Sequence, residues 1–194
     1  DKKYVELGRE KTDKIFVVLA EFGNQRDPAY PDQDTDPNTP GPTRFDGPLH
    51  NQIPEPDRTR DNSTIWQADY SPDHYRQLYF GEGSGVESLK TYYERQSSGR
   101  YSVEGQVSDW VKVPGNASTY GDNAVEDFGG SWQFIEDAGN AWYDAQKAAG
   151  KTDDQIKAEL ASFDQWDRYD HDNDGNFNEP DGYIDHFQAV HAGE

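Results

Sequence analysis

With 194 residues, 38 acidic against 18 basic side chains and a formal charge of −20, the chain has no basic run that could track a phosphate backbone, which argues against nucleic acid as a partner. It contains neither Cys nor Met, which excludes disulfide staples and thiolate metal sites. No stretch resembles a signal core or a membrane span, and the length suits one domain over residues 1–194 whose core is built on aromatics at 13%.

The opening DKKYVELGRE reads as a mature or artificially cut terminus, with any export signal upstream. Lys14 to Phe22 (KIFVVLAEF) carries a continuous apolar run from Ile15 to Ala20, too short for a globular helix and rich in β-branched and aromatic residues; it predicts a buried central strand. From Gly23 to about Ser63 (23–63), Pro, Asp, Asn and Gly dominate, a composition that cannot bury a regular face and predicts a long surface excursion. Ser71-Pro72-Asp73 then opens a short helix ending near Gly81, with Tyr75, Leu78 and Tyr79 on one side.

After the turn GEGSG (Gly81 to Gly85), Val86, Leu89, Tyr92 and Tyr93 fall at helical spacing until Ser98-Gly99. Tyr101 to Val113 alternates apolar and polar residues and predicts a half-buried strand or hairpin broken around Ser108-Asp109. Ile135, Ala138, Trp142, Ala145 and Ala149 recur at threes and fours, predicting a helix over Ser131 to Ala149, and Thr152-x-x-Gln155 has the form of a capping box for another helix running toward Phe163. Tyr183 to Val190 closes the chain with strand character. Together these elements predict an α+β fold, a mixed twisted sheet with packed helices.

One stretch calls for a cation. Counting from Asp170, the chain places Asp at positions one, three and five (Asp170, Asp172, Asp174), Gly175 at six, Asn176 at seven, Asn178 at nine and Asp181 at twelve. This matches the calcium-loop pattern D-x-[DN]-x-[DN]-G-x5-E at every defined position except the last, where Asp replaces Glu. Alternate side chains converge on the ion, Gly175 permits the sharp turn, the Asn176 carbonyl supplies an oxygen, and Phe177 anchors the loop. Without an ion, the three leading aspartates would raise one another's pKa and push the loop open. The calcium ligands expected over 170–181 are therefore Asp170, Asp172, Asp174, Asn176, Asn178 and Asp181. Pro180 and the strand pattern after Gly182 place this loop between a helix and a strand, unlike an EF-hand. Asp164, Asp167 and Asp185 lie nearby as reserve oxygen donors and read first as surface or capping groups.

The five histidines, His50, His74, His171, His186 and His191, show no His-Glu-x-x-His and no other paired metal spacing. No glycine-framed serine is present, and nothing selects a carboxylate pair for glycoside chemistry. No catalytic residue and no zinc ligand is assigned in this chain.

Three segments, Phe45 to Gly83, Ser88 to Pro114 (SLKTYYERQSSGRYSVEGQVSDWVKVP) and Asp167 to Glu194 (DRYDHDNDGNFNEPDGYIDHFQAVHAGE), resemble the secreted immune inhibitor A metalloproteases of bacteria. The resemblance implies the amino-terminal part of a zincin-like catalytic domain, in which a His-Glu-x-x-His helix supplies the zinc ligands further on. This sequence reaches Ala192-Gly193-Glu194 before any such motif. It implies that the parent is an extracellular zinc endopeptidase acting on protein or peptide substrates. The chain would be a piece of it, inactive alone and completed by the carboxy-terminal remainder of the same protein. Calcium would then pin the loop leading into Tyr183 to Val190, a strand expected in one sheet with Ile15 to Ala20. The alternative is a non-enzymatic, calcium-dependent extracellular binding module, supported by the dockerin-like spacing of the loop; dockerins duplicate their loop, and this chain has one.

Overall fold

The computed structural model describes residues 10–27, 47–121 and 129–193. Three strands form one sheet in the order β2-β1-β3, with β1 (Thr12–Glu21) in the centre, β2 (Ser102–Lys112) on one side and β3 (Phe187–His191) on the other. Ser102 N donates to Lys11 O at 3.1 Å and Val113 N to Glu21 O at 2.9 Å, so β2 runs parallel to β1. Phe16 N donates to His186 O and Ala192 N to Ala20 O, both at 2.9 Å, which makes β3 parallel as well. The expectation of a mixed sheet is thus corrected. Each return to the sheet passes through helices, α1 (Pro72–Phe80) and α2 (Leu89–Gln96) before β2, then α3 (Ala117–Tyr120), α4 (Gly129–Ala148) and α5 (Asp153–Ala161) before β3. Such crossovers, unlike hairpins, join parallel neighbours. A central strand of a parallel sheet is covered on both faces, which is why Phe16 to Ala20 is buried without alternation.

The chain forms two compact units, and each strand passes from the first to the second, β1 after Val17, β2 after Val107 and β3 after Gln188. In the first unit, Phe16 lies 5.2 Å from Phe163 and 5.9 Å from Phe187 between ring centroids, and Val103, Val107 and Ile156 are buried. Of the three apolar residues expected inward on α1, only Tyr79 is buried, and Leu78 stays half exposed. Helix α2 starts later than its spacing suggests, because the Ser88 side chain accepts from Thr91 N while Ser88 N donates to the Thr91 hydroxyl. That capping box leaves Val86 outside the helix, and Tyr92 and Tyr93 are exposed.

The second unit is organised by Phe22, whose ring lies 5.4 Å from Phe134 and 5.9 Å from Tyr120. Helix α4 turns Phe134, Ala138 and Trp142 inward, an i, i+4 row one position away from the expected Ile135. Ile135 and Ala145 are exposed, and Ala149 lies beyond the helix. Strand β2 is continuous where a break or hairpin was open. At Ser108 its register against β1 slips by one residue, and the Ser108 hydroxyl accepts from Leu19 N at 3.0 Å in place of a backbone carbonyl.

Residues 28–46 of the expected excursion lie outside the described residues. Residues 47–71 form neither helix nor strand and are knitted by side chains: Asn51 Oδ1 accepts from Tyr70 N at 2.7 Å, Trp66 Nε1 donates to Ile53 O at 3.0 Å, and Trp110 Nε1 donates to Tyr70 O at 2.8 Å.

Candidate metal centre

Helix α5 opens on a capping box in which Thr152 and Gln155 satisfy each other's backbone N–H, and the chain after it turns at buried Phe163. From there the 164–186 segment leaves and returns through a neck closed by two carboxylates. Asp164 accepts from Asp181 N at 2.9 Å and Gly182 N at 2.8 Å; Asp185 accepts from Gln165 N at 2.8 Å, while Asp185 N donates to Phe163 O at 3.0 Å. These two aspartates are the capping groups expected of them.

Within the loop, the leading acids fold the backbone over themselves. Asp170 Oδ1 accepts from Gly175 N at 3.0 Å, Asp172 Oδ1 from Asp174 N at 3.1 Å, Asp174 Oδ1 from Asn176 N at 2.7 Å and Asn176 Oδ1 from Asn178 N at 3.2 Å. Gly175 takes φ +84°, a left-handed conformation that suits the glycine expected at the sharp turn. Strand β3 begins only at Phe187, shorter than expected, since Gly182 turns at φ +92° and Tyr183 is 72% exposed.

Metal-capable side-chain atoms gather in three groups, each with its ligand atoms within 4.8 Å of one another: Asp167, Asp170 and Asp172; Asp172, Asp174 and Glu179; and Asp167, His171 and Asp181. The four predicted aspartates are therefore divided among three overlapping groups. The two predicted asparagines engage neighbours instead, Asn176 Nδ2 donating to Glu179 Oε2 at 2.7 Å and the Asn178 side-chain oxygen accepting from Lys11 Nζ. Glu179 is pushed above the usual carboxylate range, first by loss of hydration and then by the charges of Asp174, Asp172 and Asp167. A bound dication would relieve that repulsion.

Asp167, held in the sequence reading only as a reserve and first as a surface or capping group, has a larger place in the structure. It is 3% exposed, accepts from Tyr169 N at 3.2 Å and His171 N at 2.7 Å, and belongs to two of the three groups. It stands three residues before the pattern begins, so no template spacing points to it. Of the three groups, the two made of carboxylates alone offer the oxygen donors that hard cations take.

The other histidines are dispersed. His50 Nδ1 lies 2.7 Å from Glu21 Oε2, and its ring stacks on Trp110 at 4.6 Å. His186 Nε2 lies 3.3 Å from Asp13 Oδ2, and the His191 ring meets Phe134 edge-on at 6.0 Å. Among the described residues, His171 is the one histidine within a group of three metal-capable side chains. No helix among them is long and apolar enough to cross a membrane.

The family described as immune inhibitor A peptidase M6, catalytic domain, matches residues 1–194. Immune inhibitor A of Bacillus thuringiensis subsp. alesti is 37% identical over 193 residues, covering 96% of this chain and 23% of that protein. The pre-pro-metalloprotease PrtV of Vibrio cholerae serotype O1 (strain M66-2) is 29% identical over 199 aligned residues, covering 97% of this chain and 18% of that protein. The chain thus spans less than a quarter of the length of either relative. By the match along all of its residues, the chain belongs to the immune inhibitor A family of M6 metallopeptidase catalytic domains.

Proposed function

We propose that this chain is the amino-terminal portion of the catalytic domain of a secreted bacterial zinc metalloendopeptidase that hydrolyses peptide bonds in proteins, and that it acts as a calcium-stabilised scaffold within that domain. The observation that carries the reading is the family match over residues 1–194. The zincin-like architecture rests on the same match, and the parallel β2-β1-β3 sheet with helical connections is compatible with it.

In such an enzyme, zinc makes a bound water nucleophilic at neutral pH. The paired histidines that would hold such a catalytic zinc do not occur in this chain. The 194 residues hold no His-Glu-x-x-His, and His50, His186 and His191 face a glutamate, an aspartate and a phenylalanine. The zinc ligands and the general base would come from the remainder of the same protein, and no catalytic step is assigned to residues here.

The spacing of the 170–181 loop supports calcium instead. In that reading Asp170, Asp172, Asp174 and Asp181 would supply carboxylates, Asn178 a side-chain oxygen and Asn176 its carbonyl, with Asp167, a buried carboxylate beside Asp170 and Asp172, as a further donor. The ion would neutralise acids that otherwise repel one another and hold the segment that feeds β3.

Casein hydrolysis tests the reading. The complete catalytic domain of the parent, supplied with zinc and calcium, is expected to cleave casein in a chelator-sensitive manner, and this chain alone is expected to leave it intact. Chelator-sensitive cleavage by the purified chain would overturn the scaffold role. A complete domain without proteolytic activity would overturn the peptidase reading.

A further inference from the structure

We propose that Asp167, His171 and Asp181 form a second metal site, for a divalent transition ion of the zinc class, whose occupancy excludes calcium from the loop. Their donor atoms lie within 4.8 Å of one another, and His171 Nε2 is 3.7 Å from Asp181 Oδ2. Bonds of about 2.0–2.2 Å around a tetrahedral ion place neighbouring donors roughly 3.3 Å apart. The histidine–aspartate gap therefore has to close by only a few tenths of an ångström.

The histidine sets this group apart from the acidic groups beside it. Imidazole nitrogen is a good ligand for zinc-class ions, whereas calcium takes oxygen. Position two of the calcium pattern carries no ligand, so nothing in calcium binding calls for a histidine there. Its backbone is fixed, because His171 N donates to Asp167 Oδ2 at 2.7 Å, and its ring packs edge-on against Tyr169 at 5.9 Å. Asp167 is buried, and each of its oxygens already accepts one backbone N–H, which orients the carboxylate and leaves a further lone pair on each for a metal. Two carboxylates and a neutral imidazole also balance the charge of a dication.

Asp181 is the twelfth position of the calcium loop and Asp167 a further donor to it, so the two ions compete for both; the competition, though not the site itself, rests on the calcium reading above. Cobalt(II) serves as the coloured probe for the zinc class. Titrated into the calcium-free chain, it is expected to give a one-to-one visible absorption band in the wild type and in Asp172→Ala. His171→Ala, an exposed substitution whose fold is checked by circular dichroism, is expected to weaken cobalt binding by more than about tenfold. Calcium should displace cobalt from the wild type but not from Asp172→Ala, which lacks a calcium ligand alone. No band in the wild type, or an equal band in His171→Ala, would overturn the site. Cobalt binding that depends on His171 while no protein shows calcium binding by calorimetry would leave this site standing and refute the calcium loop.

Discussion

Gly105 lies where β2 passes β1 so closely that a side chain has no room. A Cβ built there would sit 2.0 Å from the Ile15 carbonyl oxygen and 2.9 Å from both the Ile15 carbonyl carbon and nitrogen. Since Cβ atoms essentially never approach other atoms below 3.0 Å, Gly105→Ala must part the strands locally by at least about 1 Å. Neither neighbour is a flexible side chain that could swing aside. Overpacking of a rigid site costs roughly 1–3 kcal/mol, and a stretched ladder hydrogen bond adds about 1 kcal/mol. A total near 3 kcal/mol in a chain of this size lowers Tm by about 6–12 °C. Thermal unfolding followed by circular dichroism is the assay, with Gly139→Ala as the counterpart. Gly139 sits inside α4 with open space around its Cβ position, so that change should raise stability by about 0.5–1 kcal/mol. If Gly105→Ala melts within about 1 °C of the wild type, the close approach of β1 and β2 is wrong.

Tyr120 Oη donates to Asp137 Oδ2 at 2.6 Å and accepts from the buried Gly115 N at 3.1 Å. Tyr120→Phe strands that N–H and should cost about 1–3 kcal/mol in urea denaturation; an unchanged midpoint would show that Gly115 finds another partner. Burial alone would push Glu159 up, but hydrogen bonds from Lys151 and Gln106 outweigh it and hold the carboxyl below its ordinary 4.5. A carboxyl held low in the folded state contributes stability that is complete above 4.5 and is lost as pH falls through the folded value. Lys151→Ala should therefore melt below the wild type near pH 7, with the difference shrinking as pH falls below 4.5, and a difference that stays constant with pH would refute the coupling.

Local signals carried the regular elements. The run Ile15 to Ala20 is legible as a central strand because a strand covered on both faces needs no polar alternation, and Thr152-x-x-Gln155 announces a helix because both halves of its cap lie within four residues. Strand direction was not legible, since it depends on which distant segment pairs with which. Phe134 and Ile135 are both apolar, and only the Phe22 ring decides which of them turns inward. In the loop, Asp170, Asp172, Asp174 and Asp181 were visible from spacing, whereas Asp167 gains its place from the backbone donors of Tyr169 and His171. His171 joins Asp181 only because the chain doubles back on Asp164, a contact that no pairwise histidine spacing records.

The role of calcium is tested most directly by the thermal unfolding of the chain with calcium and with chelator, alongside Asp172→Ala. An ion that binds only the folded chain adds RT ln(1 + [L]/Kd), about 2.7 kcal/mol at a hundredfold excess over Kd. The wild type should then melt about 5–10 °C higher in calcium than in chelator, with magnesium much weaker, and Asp172→Ala should lose most of the difference. Equal melting temperatures of the wild type in calcium and in chelator would contradict the calcium-stabilised scaffold.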